Sequence, residues 1–230
     1  MKNNQFFSAI ILAAGNSSRI GGSTRKPFIP LLGQPIIYYS LRAFENCSDI
    51  QEIIIVGKED DKAKIGYICQ TASITKFKTF VLGGETRQQS AFAGVNAASA
   101  GTTHFIIHDA ARALISAAII SRVIKEAIEH GAASAYIPSK DTIKLKNQDG
   151  LIKITLPRDQ LAIMQTPQAF EKKLYLKAMH KALKDQSDYT DDCQLVENLG
   201  EVYACKGDYT NIKITTKEDL ILAEILLNQQ

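Results

Sequence analysis

Short, almost uninterrupted apolar runs alternate along this chain with longer segments whose apolar residues recur at helical spacing. The runs lie at residues 9–14, 52–56, 78–82, 105–108 and 133–137. A strand that is apolar throughout is buried on both faces, as are the strands of a parallel sheet in an α/β protein. The sequence therefore predicts an α/β fold with a single doubly wound, mostly parallel sheet of Rossmann-like type. No linker or internal repeat divides residues 1–230, so we expect one domain.

The clearest helix is predicted over residues 116–130. Its apolar positions keep to one helical face, and Gly131 stands where a C-cap is expected. Further helices are predicted at residues 171–184, 191–198 and 216–228, the last of them begun by a capping box in residues 215–218.

A different pattern follows Pro138. Residues 141–154 alternate between apolar and polar around the turn at residues 147–150, which ends in Asp-Gly. Asp-Gly between alternating runs is a strong hairpin signal. We expect residues 139–157 to form a β-hairpin arm that projects from the sheet.

Three polar loops follow predicted strands, at residues 12–19, 82–90 and 108–112. Ligands of doubly wound sheets bind at the carboxyl ends of the strands, so the three loops are expected to converge. The first is built of small residues, whose backbone N–H groups can approach phosphates, and Arg19, Arg25 and Lys26 supply cations beside it. In the third, Asp109 is a candidate for Mg²⁺ or a sugar hydroxyl, or alternatively for a helix N-cap.

Familiar nucleotide motifs do not match these loops. The chain has no G-x-x-x-x-G-K phosphate loop, and Gly15-Asn16-Ser17 breaks the G-x-G of dinucleotide-binding proteins. The missing dinucleotide motif disfavours an NAD oxidoreductase.

Seven stretches, in order, resemble those of the 2-C-methyl-D-erythritol 4-phosphate cytidylyltransferases of the non-mevalonate isoprenoid pathway. They lie at residues 12–15 with Arg19 and Lys26, and at residues 83–90, 108–112, 140–144, 165–170, 189–192 and 209–216. The resemblance covers nearly the whole chain. It implies a nucleotide-diphospho-sugar transferase-like fold and transfer of a cytidylyl group from CTP to a small polyol phosphate.

The resemblance also implies a role for each matching residue. The implied catalytic residues are Arg19, Lys26 and Lys213. The implied nucleotide-binding residues are Ala13, Ala14, Gly15, Gly84, Glu85, Ser90, Asp109 and Ala110. The implied acceptor-binding residues are Asp109, Arg112, Thr142, Arg158, Thr166, Thr190 and Lys213. In this family the arm residues Thr142 and Arg158 would serve the partner subunit, which implies a homodimer.

The implied reaction is attack of an alcohol phosphate on the α-phosphorus of CTP, with pyrophosphate as the leaving group. Mg²⁺ or another divalent cation is implied as the cofactor, held mainly by the phosphates, with Asp109 as a possible protein contact. Positioning and charge stabilisation supply most of the rate in such transfers.

Three alternatives stay open. One is a ribitol 5-phosphate cytidylyltransferase, although those enzymes tend to carry Ala-Gly-Gly where this chain has Ala13-Ala14-Gly15. The second is a sugar-nucleotide pyrophosphorylase of the same fold that reads another base. The third is a non-catalytic nucleotide-binding module, which the presence of Arg19, Lys26 and Asp109 disfavours.

Composition limits the partners. A net charge of +3, from 27 Lys and Arg against 24 Asp and Glu, gives no support for nucleic-acid binding. The chain lacks an apolar stretch of the roughly 18 residues that a membrane helix needs. The four cysteines form no CxxC pair, and we expect reduced thiols and a cytoplasmic protein.

Overall fold

The computed structural model describes residues 5–15 and 24–229. The strands in this part of the chain are β1 Phe7–Leu12, β2 Pro30–Leu31, β3 Gln34–Pro35, β4 Ile50–Gly57, β5 Phe77–Leu82, β6 His104–Asp109, β7 Ala132–Pro138, β8 Lys144–Lys146, β9 Ile152–Thr155, β10 Ala162–Glu171 and β11 Tyr203–Lys206. The α-helices are α1 Ile36–Glu45, α2 Lys62–Thr71, α3 Arg87–Asn96, α4 Ala117–His130, α5 Lys172–Lys184, α6 Asp192–Glu197 and α7 Lys217–Leu227.

Seven strands form one sheet in the order β11-β7-β10-β6-β1-β4-β5. All neighbouring pairs are parallel except those of β10, which runs antiparallel to both β7 and β6. The mostly parallel sheet predicted from the sequence is confirmed. The exception arises because β7 reaches β10 through the hairpin arm without a crossover helix, so β10 must return beside β7 in the opposite direction.

The five predicted strands correspond to β1, β4, β5, β6 and β7, with ends that shift by one or two residues. The strands β10 and β11 were not predicted from the sequence. In β10, the polar residues Gln165, Thr166 and Gln168 interrupt the apolar run, although all three are buried. A strand whose buried positions are polar lacks the apolar signal on which the prediction depends.

Helix ends follow the caps read from the sequence, with one correction. Ser116 caps α4 by accepting a hydrogen bond from the N–H of Ile119, and Gly131 ends that helix with a φ of 82°. The predicted capping box in residues 215–218 is wrong by one position. The N-cap of α7 is Thr216, and its reciprocal partner is Asp219. Asp219 also accepts hydrogen bonds from the N–H and hydroxyl of Thr215. The capping carboxylate is therefore that of Asp219 and not that of the neighbouring Glu218.

Helices cover both faces of the sheet. One apolar core packs α1, α2 and α4 on one face, and a second packs α3, α5 and α6 on the other. Successive residues of β1 alternate between them, with Ala9 and Ile11 in the first core and Ile10 in the second. This arrangement confirms the doubly wound layout.

The order of the sheet reverses between β1 and β6. The chain goes from β1 outward through β4 to β5, and then returns to place β6 on the other side of β1. Such a switch point leaves a crevice at the carboxyl ends of the two strands, which is where ligands of open α/β sheets bind.

The predicted hairpin is present as a separate two-stranded sheet of β8 and β9. Its turn places Gly150 at a φ of 88°, and the side chain of Asn147 accepts a hydrogen bond from the N–H of Leu151. Both strands are exposed along their whole length. The assigned strands cover part of the alternating pattern, and just beyond their ends the N–H of Leu156 donates to Ile143 O (3.0 Å).

None of the helices in the described ranges is long and apolar enough to span a membrane.

Candidate active site

Three loops meet at the carboxyl edge of the sheet because the hydrogen bonding continues one residue beyond each strand. The N–H of Ala13 donates to Val56 O (2.7 Å), that of Ala110 to Leu12 O (3.0 Å), and that of Gly83 to Gly57 O (2.9 Å). The predicted convergence of the loops after β1, β5 and β6 is confirmed.

Gly83 allows the closest of these approaches. A Cβ atom at this position would overlap the Cβ of Ala14 and the Oγ of Ser90. Only a glycine therefore lets the loop after β5 pack directly on the loop after β1.

The loops enclose a cavity of about 370 Å³ at the switch point. Ten residues predicted from the sequence line it, namely Ala13, Ala14, Gly15, Lys26, Gly84, Glu85, Ser90, Asp109, Ala110 and Lys213. Further lining comes from Leu12, Pro27, Lys58, Thr86, Arg87 and Ala111, to which the sequence analysis gave no role. Lys58 follows directly after β4, so the signal used for the other loops, a polar residue at a strand end, could have found it.

Asp109 is the electrostatic centre of the cavity. Its Oδ2 lies 2.8 Å from the Nζ of Lys213, and its Oδ1 lies 3.6 Å from the Nε of Arg87. Burial alone would raise the pKa of the Asp109 carboxyl, but the positive charges of Lys213 and Arg87 outweigh it and hold that pKa well below its usual range. Asp109 is therefore a carboxylate at neutral pH, and its alternative reading as a helix N-cap is wrong, since α4 is capped by Ser116.

Lys213 reaches Asp109 because the segment before α7 is tied to the turn after β6. The N–H of Ile214 donates to Ala111 O (2.9 Å). The fully buried Asn211 donates through Nδ2 to Thr166 O (2.9 Å). The backbone carbonyl of Asn211 accepts from Nη1 of Arg112 (2.8 Å). These bonds place the ammonium of Lys213 beside the carboxylate of Asp109, which lies about 100 residues earlier in the chain.

His108 and Thr166 hold the backbone of the turn after β6. The Nε2 of His108 lies 3.3 Å from Arg112 O, so this nitrogen must carry the proton and donate it. Its Nδ1 is then an acceptor for the hydroxyl of Thr166 (3.0 Å), and the same hydroxyl oxygen accepts from the N–H of Asp109 (3.1 Å). Burial lowers the pKa of His108 to about 3, so the ring stays neutral and this pattern persists at physiological pH.

Five predicted acceptor-binding residues do not line the cavity of their own chain. Arg112 turns its guanidinium toward Asn211 O and Met164 O (3.5 Å). Thr166 is buried, and its hydroxyl proton is already donated to His108. Thr190 is exposed beside the start of α6, where its hydroxyl donates to Gln194.

The other two, Thr142 and Arg158, lie at the base of the arm. Both are exposed, and Arg158 donates to Lys140 O (3.2 Å). The assigned acceptor contacts of all five stay predictions.

Of the cations expected near the first loop, Lys26 lines the cavity, whereas Arg25 does not. Arg25 forms an ion pair with Asp61, and its Nη2 donates to Ala13 O (3.2 Å) and Gly15 O (3.4 Å). It therefore lies beside the loop as expected and stabilises it, while its contact with a triphosphate stays a prediction. Arg19 lies outside the described residues.

The donor groups of the cavity fit a divalent cation that arrives with a triphosphate. Four cationic side chains and two carboxylates, those of Glu85 and Asp109, line the cavity. Mg²⁺ takes one or two carboxylates and completes its shell with phosphate oxygens and water. Asp109 keeps lone pairs for a cation, but Lys213 and Arg87 repel one unless phosphates neutralise them. Among the described residues, a cluster of three candidate ligands occurs only at Glu126, Glu129 and His130, which do not line the cavity.

The fold and the cavity together define an α/β protein of the nucleotidyltransferase type. The family model of 2-C-methyl-D-erythritol 4-phosphate cytidylyltransferase matches residues 7–229. The chain belongs to this family. Curated relatives of that name include one from Caldanaerobacter subterraneus subsp. tengcongensis, 42% identical over 96% of this chain and 99% of the relative. Another, from Clostridium tetani, is 44% identical over 94% of this chain and 88% of the relative.

A solved structure agrees. The 4-diphosphocytidyl-2C-methyl-D-erythritol synthase of Anaerococcus prevotii superposes with a TM-score of 0.88 at 33% identity, over 97% of this chain and 96% of the other.

Proposed function

We propose that this protein transfers the cytidylyl group of CTP to 2-C-methyl-D-erythritol 4-phosphate. The products are 4-diphosphocytidyl-2-C-methyl-D-erythritol, an isoprenoid precursor, and pyrophosphate. The observation that carries the proposal is the ionised Asp109, fixed beside Lys213 in a cation-lined cavity at the switch point. Membership of the cytidylyltransferase family supports it.

The cavity supplies what an in-line transfer needs. The backbone of Ala13, Ala14 and Gly15 would hold the nucleotide, and Gly84, Glu85 and Ser90 would read the base. The hydroxyl of Ser90 donates its proton to Thr86 O (3.0 Å). The Oγ atom of Ser90 is therefore left as a hydrogen-bond acceptor at the cavity wall. An amino group, such as the one on cytosine, is the matching donor.

The charged groups would act on the phosphates. Lys26, with Arg19, would stabilise negative charge on the α-phosphate and on the leaving pyrophosphate. Lys213 and Asp109 would orient the acceptor, together with Arg112, Thr166 and Thr190. No residue need form a covalent intermediate, because aligned binding and charge stabilisation account for the rate.

A panel of substrates tests this function. Each of CTP, UTP, ATP and GTP is offered with methylerythritol phosphate or ribitol 5-phosphate, and pyrophosphate release is measured. We expect turnover with CTP and methylerythritol phosphate to exceed every other combination by at least about tenfold, since buried polar groups that read a base are left unpaired by the wrong one.

The alternatives make opposite predictions in the same panel. Preference for ribitol 5-phosphate would indicate the other cytidylyltransferase class. Preference for another nucleotide would indicate a pyrophosphorylase of different base specificity. CTP binding without pyrophosphate release in any combination would indicate a non-catalytic module.

We propose that Mg²⁺, or another divalent cation, enters the cavity together with CTP. Bound to the phosphates, it would neutralise the charge of the triphosphate and of the leaving group. Asp109 would be its main protein contact, because this carboxylate is ionised and lies among the phosphate-binding loops.

A binding experiment tests whether the cation binds to the protein only together with CTP. With Mn²⁺ as the probe, electron paramagnetic resonance should show little binding to the protein alone at millimolar concentration, since Lys213 and Arg87 flank the carboxylate. Adding CTP should give one protein-bound Mn²⁺–CTP complex per subunit, with a spectrum that differs from that of Mn²⁺–CTP in buffer. Stoichiometric binding without the nucleotide would contradict the proposal.

We also propose that the protein works as a homodimer through the arm. Leu145, Ile152 and Ile154 are each 52% exposed, and Leu151 is 61% exposed. A two-stranded hairpin is marginally stable in water unless it packs against another surface. A second copy would cover these side chains. Thr142 and Arg158 of one subunit would then reach the acceptor pocket of the other.

The proposed compartment is the cytoplasm. All four cysteines are free and buried, and burial raises the pKa of the Cys69 thiol to about 12 and that of the Cys205 thiol to about 11. Unpaired thiols of this kind are typical of proteins in a reducing compartment.

A further inference from the structure

Arg87 occupies an unusual place in the cavity wall. It is the first residue of α3, directly after the N-cap Thr86. Its guanidinium lies between two carboxylates that belong to different parts of the chain. Nη1 is 2.6 Å from Oδ2 of Asp192, and Nε is 3.6 Å from Oδ1 of Asp109. The family resemblance gave this residue no role.

Asp192 is a rigid anchor for this guanidinium. It is 2% exposed, and its Oδ1 accepts the hydroxyl proton of the fully buried Tyr175 (2.7 Å). Its N–H donates to Oε1 of Gln168 in β10 (3.2 Å). Because these partners come from α5 and β10, the position of Asp192 is set by the core, and Arg87 is held through it.

The next residue repeats the link between α3 and the same segment. The Nε2 of Gln88 donates to Ser187 O (3.0 Å), and its Oε1 accepts from the N–H of Tyr189 (3.1 Å). The start of α3 is thus bonded to residues 187–192 at three points. This segment carries Thr190, a predicted acceptor contact, while the residues just before α3 carry the predicted base contacts Gly84 and Glu85.

Stability alone does not account for Arg87. Its Nη2 is buried and has no hydrogen-bond partner among the described residues, which destabilises the folded state. A buried ion pair is also often no more stable than a well-packed apolar pair. The arrangement is better explained by the geometry that it imposes on the cavity.

We propose that Arg87 is a positioning residue for the transfer reaction, which aligns the acceptor side of the cavity with the nucleotide side. Its guanidinium orients the carboxylate of Asp109 from one side while Lys213 holds it from the other. Through Asp192 it also fixes residues 187–192 relative to the loop that binds the nucleotide. This inference rests on the proposed function, because it assigns Asp109 and Thr190 to the acceptor.

Arg87→Lys tests the proposal most directly. A lysine keeps the positive charge, but a single ammonium cannot span both carboxylates as the planar guanidinium does. We expect kcat/KM for the acceptor to fall by at least about tenfold, because a small misplacement of reacting groups is costly in such transfers. The Kd of CTP, measured by titration calorimetry without acceptor, should change by less than about threefold.

Asp192→Asn tests whether the effect runs through the ion pair. Asp192 does not line the cavity, and asparagine keeps its shape and can still accept from Tyr175. The same split between acceptor kinetics and CTP affinity is expected. The matched control is Lys78→Gln, which breaks the partly buried ion pair with Glu52 (3.2 Å) near the amino ends of β4 and β5. It should lower the melting temperature and leave both the acceptor kcat/KM and the Kd of CTP unchanged.

Rates are expressed per CTP-binding site, so that unfolded protein does not count. A normal acceptor kcat/KM per site in Arg87→Lys would overturn the proposal. An equal loss of acceptor kinetics and CTP affinity would also overturn it, since that pattern indicates general disruption. Failure of the wild-type protein to turn over CTP and methylerythritol phosphate is a separate result, which would reject the proposed function instead.

Discussion

Replacing Lys26 with alanine is expected to lower turnover by at least about 100-fold while the protein stays folded. Lys26 lines the cavity as the first residue of a 3-10 turn, Lys26–Phe28. Pro27 in this turn is buried, and Phe28 packs against the core, so the backbone that carries the lysine is well anchored. A fixed charge of this kind acts mainly on the transition state, where negative charge builds on the leaving group.

The matched control is Lys62→Ala, which removes an exposed lysine at the start of α2 that does not line the cavity. Circular dichroism and thermal melting show whether each variant is folded. The same loss is expected for Arg19→Ala on the basis of the family resemblance. Turnover close to that of Lys62→Ala would show that Lys26 is part of a structural turn only.

The second large effect is expected from the arm. Replacing both Thr142 and Arg158 with alanine should raise the acceptor KM by at least about tenfold and leave the CTP KM nearly unchanged. Both side chains are exposed and absent from the cavity of their own chain, as expected if they act on a phosphate in a neighbouring subunit. Initial rates with each substrate varied in turn measure the split.

Mixing this arm variant with Lys26→Ala tests whether sites are shared. If they are shared, each heterodimer formed by subunit exchange has one site with both defects and one site with neither. Random exchange of equal amounts should restore about a quarter of wild-type activity, because half of the dimers are mixed and one of their two sites is intact.

A mixture of Lys26→Ala with Arg19→Ala is the control. Neither substitution falls in the arm, residues 139–157, so no heterodimer has an intact site and no recovery is expected. Exchange itself is followed by mass spectrometry of differently tagged subunits. No recovery in the first mixture despite complete exchange, or a fully active monomer by light scattering, would show that the arm serves its own subunit.

Local patterns in the sequence determined much of the fold. Mostly apolar runs identified five strands of the sheet, because strands covered on both faces favour apolar side chains. Ser116 and Gly131 set the ends of α4, and Asp149-Gly150 set the hairpin turn. These features depend on residues a few positions apart, whose relative geometry is limited by the backbone itself.

The loops of the cavity could also be located from the sequence, since in a doubly wound sheet they must lie at the carboxyl ends of strands. Most of the described residues of the three predicted loops line the cavity. The strand β10 escaped prediction because its buried positions are polar and satisfied by distant partners such as Asn211 and Asp191.

Tertiary structure alone decided which charged groups meet. Arg25 and Lys26 are adjacent in sequence and equal in charge. Arg25 nevertheless forms an ion pair with Asp61, whereas Lys26 lines the cavity. Asp109 meets Lys213 and Arg87, and Arg87 meets Asp192, through packing of elements up to about 100 residues apart. An ion pair forms only where the fold brings side chains within a few ångströms, and local periodicity carries no information on that distance. The sequence thus determined where the cavity lies, and the packing of α3, α6 and the segment before α7 determined the charges arranged within it.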